Sequence, residues 1–368
     1  MAYLCGKLLH YLLQQGGLMR KYDTSPIITS AALFYRNSNL LLRCFFLLLL
    51  VIRNVKAQFN VSSWYVGDHD APSFPLEKIR WDIYTHIYNT GLVVDPDGSA
   101  HCNHSDPFTQ KLITMAHQHN TKVLTGLGDF NIHQALWQPE LYGSQTITFF
   151  STIHTAIHDC DWDGIEVDYE WSDTKWGKLG IIPGKASTHY TEFLSKLKKT
   201  IGPNKTVSAD ISIQGIGKGE YWLGVLPWVN VTMLNRGDFD FINTMSYHWN
   251  KDGNIWSWKK DAWFIDQWGI DRKRVNIGIP YYSMNRTKDL KIYNEPTWGG
   301  LSQICPNIGL KENECDGVVF VGKDMNYRLG KWLREEGFGG VFPWAANYDS
   351  CWNNNSLVDW LYRGINKN

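Results

Sequence analysis

The chain has 368 residues, 43% of them hydrophobic and 20% charged, a balance that excludes an intrinsically disordered chain and leaves room for one large core or two domains. Its formal net charge of zero conceals a split: residues 1–57 hold seven Lys/Arg against one acid, Asp23, which leaves 29 basic and 35 acidic residues, a net −6, in 58–368. That mildly acidic body argues against nucleic acid or anionic membrane as its main partner.

Residues 1–57 read as a leader. Cys44–Ile52 is an uninterrupted apolar run behind Arg43, and Val55-Lys56-Ala57 offers a small-residue cleavage site before Gln58. The run is short of the roughly 20 residues that a membrane span needs. The expectation is therefore a secreted protein that is not membrane-embedded, with a signal-anchored or lumenal protein, or a mitochondrial leader, as the alternatives. Six Asn-x-Ser/Thr sequons, at Asn60, Asn103, Asn204, Asn230, Asn285 and Asn354, agree with a secretory route and a glycoprotein. Cleavage would leave five cysteines, Cys102, Cys160, Cys305, Cys315 and Cys351, so that one thiol is left over. Cys305 and Cys315 share one segment and are placed for a local disulfide; five reduced thiols are the alternative. No Cys/His spacing matches a zinc or redox motif, and neither metal nor organic cofactor is expected.

Along 58–368, eight β-rich runs are predicted: Val61–Val66, Tyr84–Asn89, Lys122–Leu127, Gly164–Glu170, Thr206–Ser212, Asp240–Tyr247, Val275–Pro280 and Gly340–Trp344. Helical spacing recurs between several of them. Phe149, Phe150, Ile153 and Ile157 follow it, as do Tyr190, Phe193, Leu194 and Leu197, and the stretch 326–337 reads as a helix ended by Gly337. Eight strands alternating with helices predict an α/β fold, a (β/α)8 barrel in one domain. An open doubly wound sheet is the alternative, but no Gly-x-Gly-x-x-Gly turn follows a strand. Residues 283–323, between the seventh and eighth strands, are expected to form a short irregular insertion that walls a cleft.

The densest chemistry lies in Asp161-Trp-Asp-Gly-Ile-Glu-Val-Asp-Tyr-Glu-Trp171. In a strand, Glu166, Asp168 and Glu170 share one face and Ile165, Val167 and Tyr169 the other. The apolar set suits the helix layer, which turns three carboxylates, about 7 Å apart along the strand, toward the barrel axis. So many buried carboxylates cannot all ionise, and at least one should hold a proton near neutral pH. Glu170, the last of the row, stands where a strand's C-terminal end delivers a general acid.

These residues carry a resemblance. Asp163-Gly-Ile-Glu166-Val-Asp168-Tyr-Glu170 resembles the Asp-x-x-Asp-x-Asp-x-Glu signature of glycoside hydrolase family 18, the chitinases and chitinase-like proteins. Lys122–Gly128 resembles the family's third strand, Phe239–Tyr247 with Met245 its sixth-strand Met-x-Tyr motif, Asn276–Tyr281 its seventh strand, and Gly339–Trp344 its eighth. The likeness spans about 61–363.

It implies hydrolysis of β-1,4 bonds next to N-acetylglucosamine in chitin, chitooligosaccharides or related glycans, with retention and with the substrate's acetamido oxygen as nucleophile. Glu170 would be the acid, Asp168 would hold the acetamido nitrogen and Tyr247 its oxygen, while Trp344 would lie beneath the sugar. Asp163, Glu166 and Met245 support the motif. Trp171, Tyr65, Tyr281 and His248 are further candidates for sugar contact, and Trp249, Trp298 and Trp352 are possible cleft aromatics. Trp332 and Trp360, on helix-like segments, are expected to pack. Glu166 replaces the usual second Asp, and His248 stands where the family usually has Asp. Two other functions fit the same barrel: a catalytically silent chitin-binding lectin, and an endo-β-N-acetylglucosaminidase acting on N-glycans.

Overall fold

The structure, a computed structural model, describes residues 59–67, 74–128, 139–168, 185–211, 229–247, 256–285, 297–315, 317–351 and 355–367. Eight strands close a parallel barrel: β1 (Asn60–Trp64), β2 (His86–Asn89), β5 (Lys122–Gly128), β6 (Gly164–Asp168), β7 (Thr206–Ile211), β8 (Phe241–Thr244), β9 (Val275–Pro280) and β13 (Gly340–Trp344). They neighbour one another in the order β1-β13-β9-β8-β7-β6-β5-β2, so each strand lies beside the barrel strand that follows it in sequence. All eight predicted runs become these strands. The outer layer includes α1 (Pro107–Gln118), α2 (Pro139–Asp159), α3 (Lys185–Ile201), α5 (Trp256–Gln267), α7 (Lys323–Glu335) and α8 (Leu357–Asn366), with the single-turn α4 (Val231–Arg236) between α3 and β8.

Period two sorts the strand residues into two layers. Ile165, Val167, Val207, Ala209, Ile242, Ile277 and Val341 point outward into a continuous apolar layer with Phe149, Ile153, Ile157, Leu194 and Leu197 of the helices. Each such aliphatic side chain contributes roughly 1.5–3 kcal/mol on burial, so this layer is the main apolar support of the fold. The alternate residues point inward and are largely polar: Ser62, Glu166, Ser208, Asp210, Asn243 and Asn276 are all buried.

At the foot of the barrel, side chains continue the ladder where backbone carbonyls run out. Asp163, just before β6, accepts from Val123 N at 2.8 Å and meets His117 Nε2 at 2.8 Å. Asp240, just before β8, does the same for Val207 N and Lys198 Nζ, both at 2.8 Å. The first Asp of the acidic signature therefore serves as a strand-foot clamp.

The segment expected to be irregular is partly ordered. Residues 283–323 contain β10 (Met284–Asn285), β11 (Glu314–Cys315) and β12 (Val318–Val319) in a small antiparallel sheet, together with α6 (Trp298–Ile304). These strands are two residues long, too short for an alternating pattern to register in the sequence. A second hairpin, β3 (Leu92–Val94) with β4 (Ala100–Cys102), follows β2.

Cys305 and Cys315 form the expected local disulfide, and a second joins Cys102 to Cys160 across 58 residues, leaving Cys351 as the free thiol among the described residues. Closing a loop of that length contributes about 4 kcal/mol in the chain-entropy account.

Candidate active site

Glu166 and Asp168 occupy the inner face of β6, with Ile165 and Val167 outside, as period two requires. The neighbouring strands make room for them. Gly126 and Gly128 of β5 are in register with Glu166 and Asp168, and a Cβ on Gly126 would come within 2.1 Å of the Trp64 ring. Gly164 opens β6 against β7, where a Cβ would meet Thr206 O at 2.0 Å. On β7, Ser208 and Asp210 are the register partners of Glu166 and Asp168.

These groups form a buried polar cluster. The Ser208 hydroxyl donates to Glu166, and Trp64 Nε1 donates to Asp210 Oδ2 at 3.0 Å. Asn243 Nδ2 donates to Asp210 Oδ1 at 3.0 Å and to Tyr88 Oη at 3.3 Å, while its own Oδ1 accepts from Asn276 Nδ2 at 2.9 Å. Burial pushes the Glu166 carboxyl up to about 7, with the Asp168 charge adding to the rise and hydrogen bonds from Asp210 and Ser208 opposing it. Burial also raises Asp210 well above the usual carboxylate range, and the charge of Glu166 adds to it. Burial thus pushes both carboxyls toward their protonated forms. Glu166, within the acidic row, is thus held protonated up to near neutral pH, and β7 adds a second raised carboxyl beside it.

Above this cluster the interior is aromatic. Trp64, Tyr88, Leu124, Tyr247, Tyr282, Val319, Phe342 and Ala345 pack together, with Met245 and Trp344 partly buried against them. The Tyr247 ring lies 6.2 Å from Trp344 and 6.4 Å from Tyr282, and Trp344 lies 6.1 Å from Trp64. Val319 comes from β12, so the insertion does reach the mouth of the barrel as expected. Asp168, Tyr247, Met245 and Trp344 thus come from three strand ends onto one end of the barrel.

Two aromatic candidates fall on the other layer. Tyr65 donates its hydroxyl to Phe74 O at 2.8 Å and packs on Phe108, and Tyr281 is fully buried in the outer apolar layer. Their chain neighbours Trp64 and Tyr282 face the interior instead. The cause is alternation, because a shift of one residue along a strand exchanges faces. Trp298 is packing as well: it is 1% exposed, and its Nε1 donates to Asn355 O at 2.7 Å. Trp332 lies against Phe338, and Trp360 lies under Arg363. Glu170, Trp171, His248, Trp249 and Trp352 lie outside the described residues. Among the described residues no cluster of His, Cys, Asp and Glu could hold a metal ion.

Sequence reasoning missed Asp210, Trp64, Asn243, Tyr88 and Tyr282. The signal for Asp210 was available, since Ser208 and Asp210 are polar at period two in a strand whose other positions are Val207, Ala209 and Ile211.

Known proteins share this fold. An endochitinase from Brugia malayi is 25% identical over 284 residues, covering 62% of this chain and 53% of that protein, so the chain spans about half the length of the curated relative it matches. Among solved structures, a chitinase from Bacteroides thetaiotaomicron superposes with a TM-score of 0.67 at 18% identity, over 84% of this chain and 96% of that one. A plant class V chitinase mutant from Cycas revoluta, in complex with (GlcNAc)3, gives 0.66 at 12% identity, over 84% of this chain and 100% of that one. The Ostrinia furnacalis Group II chitinase catalytic domain 2 gives 0.64 at 17% identity, over 84% and 97%. The model of glycosyl hydrolases family 18 matches residues 61–349, and the chain belongs to that family.

Proposed function

We propose that this protein is a secreted chitinase that hydrolyses β-1,4 bonds of N-acetylglucosamine polymers with retention, using Glu170 as the general acid. The observation that carries this reading is the pair of inward carboxylates, Glu166 and Asp168, on β6 of a barrel whose interior also holds Tyr247 and Trp344.

In the first step Glu170 protonates the leaving oxygen while the substrate's acetamido oxygen attacks the anomeric carbon. Asp168 accepts a hydrogen bond from the acetamido N–H and stabilises the positive charge that develops there. Tyr247 donates to the acetamido oxygen and orients it. Trp344 is a half-buried indole beside Tyr247, suited to the apolar face of a sugar ring. Water, activated by Glu170 now acting as base, then opens the oxazolinium intermediate and returns the proton. His248, beside Tyr247, tunes the local charge.

The leader-like segment 1–57 supports export. Two sequons support it further, because Asn103 and Asn204 are exposed. Asn60 is different: its side-chain amide faces the fully buried Asn276 at the barrel foot, at 3.5 Å. Expression through a secretory route should therefore give glycan at Asn103 and Asn204 and none at Asn60, read by peptide mass spectrometry after enzymatic deglycosylation. Occupancy at Asn60 would contradict that placement.

The direct test of function offers the mature protein a fluorogenic chitotrioside and, in parallel, an N-glycan substrate. Chitotrioside is expected to be cleaved with kcat/KM at least tenfold above the N-glycan. The reverse preference would assign an endo-β-N-acetylglucosaminidase, and binding without turnover a lectin.

A further inference from the structure

Trp64 is a large side chain of the barrel interior to which the proposed chemistry gives no part. It leaves the end of β1, is 4% exposed, and its indole N–H donates to Asp210 Oδ2 on β7 at 3.0 Å. In the closed order of strands, β13, β9 and β8 separate β1 from β7 on one side, and β2, β5 and β6 separate them on the other. The two strands are therefore diametrically opposite, and the indole is a strut across the barrel.

Two interior positions are given over to this one ring. A Cβ on Gly126 of β5 would come within 2.1 Å of Trp64 Cη2, 2.6 Å of Cζ3 and 3.3 Å of Cζ2, and those are its three nearest atoms. The backbone at Gly126 is not left-handed, so the missing side chain answers to the indole and not to the conformation of the strand. Asp210, on the other side of β6, takes the N–H. An indole has a single donor, so this bond also selects one of the two ways the ring could turn about its outer torsion. Asn243 Nδ2 holds the second oxygen of Asp210 at 3.0 Å, and the Tyr88 ring braces Trp64 edge-on at 5.8 Å.

Trp344 stands beside this strut. The two ring centroids are 6.1 Å apart with their planes tilted by 55°, and Tyr247 lies 6.2 Å from Trp344. Trp344 is only half-buried, so the rings that flank it set its tilt. We propose that Trp64 is a positioning residue for Trp344: pinned at Asp210 and seated over Gly126, it fixes the plane on which the sugar at the cleavage point rests. Trp64 acts through Trp344 and does not itself touch the sugar. The inference rests on the chitinase reading for its effect on substrate, and on the contacts alone for the strut.

The test compares wild type with Trp64→Phe, Gly126→Ala and Trp344→Ala. The first two are also combined with each other, and each is made in the Trp344→Ala background. A Phe side chain keeps an aromatic ring but is shorter and has no N–H, so it leaves Asp210 and clears the space that an Ala side chain at position 126 needs. The values of kcat and KM are measured separately on the fluorogenic chitotrioside, with the thermal unfolding midpoint as the control on folding.

Trp64→Phe and Gly126→Ala are each expected to raise KM about tenfold while kcat falls less than about threefold, because the platform shifts and the acid does not. Either change should add less than about twofold once Trp344 is Ala, and Gly126→Ala should add no more than that to Trp64→Phe. A Trp64 that only packs would lower the midpoint and the active fraction, and hence kcat, at unchanged KM. That result overturns the proposal, as does a full tenfold effect in the Trp344→Ala background. If one of the two variants does not fold, the other decides through its pairing with Trp344→Ala. Binding of chitotetraose by wild type without hydrolysis ends the chitinase reading, and its dissociation constants then replace KM under the same criteria. Hydrolysis with a KM that Trp64→Phe leaves unmoved ends the inference and spares the chitinase reading, and a wild type that neither binds nor hydrolyses ends both.

Discussion

Glu170→Gln is expected to lower kcat/KM for a fluorogenic chitotrioside by about 10²–10⁴-fold, the range that a positioned general acid contributes. The substitution preserves shape and hydrogen-bonding reach, so the folding midpoint and the affinity for chitotetraose should stay close to wild type. In the sequence, period two assigns Glu170 the same face as Glu166 and Asp168, and a carboxyl after the last residue of a barrel strand suits a proton donor to the leaving oxygen. The loss should fall in kcat, because the proton is delivered in the transition state and not on binding. Chitotetraose, whose sugar leaving group needs the proton more than the fluorophore does, should lose at least as much. Equal turnover by wild type and variant would remove Glu170 from the mechanism.

Much of this architecture was legible from apolar spacing. Each strand buried on its outer face carries a period-two apolar set, and the helices that cover it carry Phe149, Ile153, Ile157 or Leu194, Leu197 at helical spacing. The acidic row was legible for the same reason, since charge alternating with Ile165 and Val167 fixes a face. Tyr65 and Tyr281 were misplaced by one position each, at the ends of β1 and β9. An aromatic residue sits next to another aromatic residue at both places (Trp64-Tyr65 and Tyr281-Tyr282), so hydrophobicity does not tell the two faces apart. Asp210 was legible as an inward polar position but its neighbours were not. Asp168 is 42 positions away in sequence, and the pairing of β7 with β6 is what sets the two in register. The 18 tryptophans divide similarly: Trp162, Trp258 and Trp298 are buried packing, and Trp258 also donates to Gly278 O at 2.8 Å, whereas Trp344 is half-exposed at the barrel mouth.

The buried acids also predict how stability responds to pH. The folded-state value of Glu166 lies at about 7, above the 4.5 of an unperturbed glutamate, because the barrel interior disfavours its charge. Between those two values the folded chain binds more protons than the unfolded chain, so its stability falls as pH rises and levels off above the folded value. At 1.36 kcal/mol for each unit of difference, Glu166 alone removes about 3 kcal/mol between acid and neutral pH. Asp349 acts in the same direction. It is fully buried and raised to about 6, despite accepting from Ser350, Leu357 and Val358 backbone amides and from the Ser356 hydroxyl. Depressed carboxyls such as Asp82 and Glu77 oppose the trend, but they are exposed surface partners of Arg80 and Lys111, whose contribution solvent screens. The unfolding midpoint is therefore expected to drop by roughly 5 °C for Glu166 between pH 5 and pH 8. Glu166→Gln should remove that part of the slope while leaving the part due to Asp349, and Asp349→Asn should remove the other. A midpoint that rises over this interval in wild type would mean that Glu166 is ionised throughout, with its charge compensated inside the barrel.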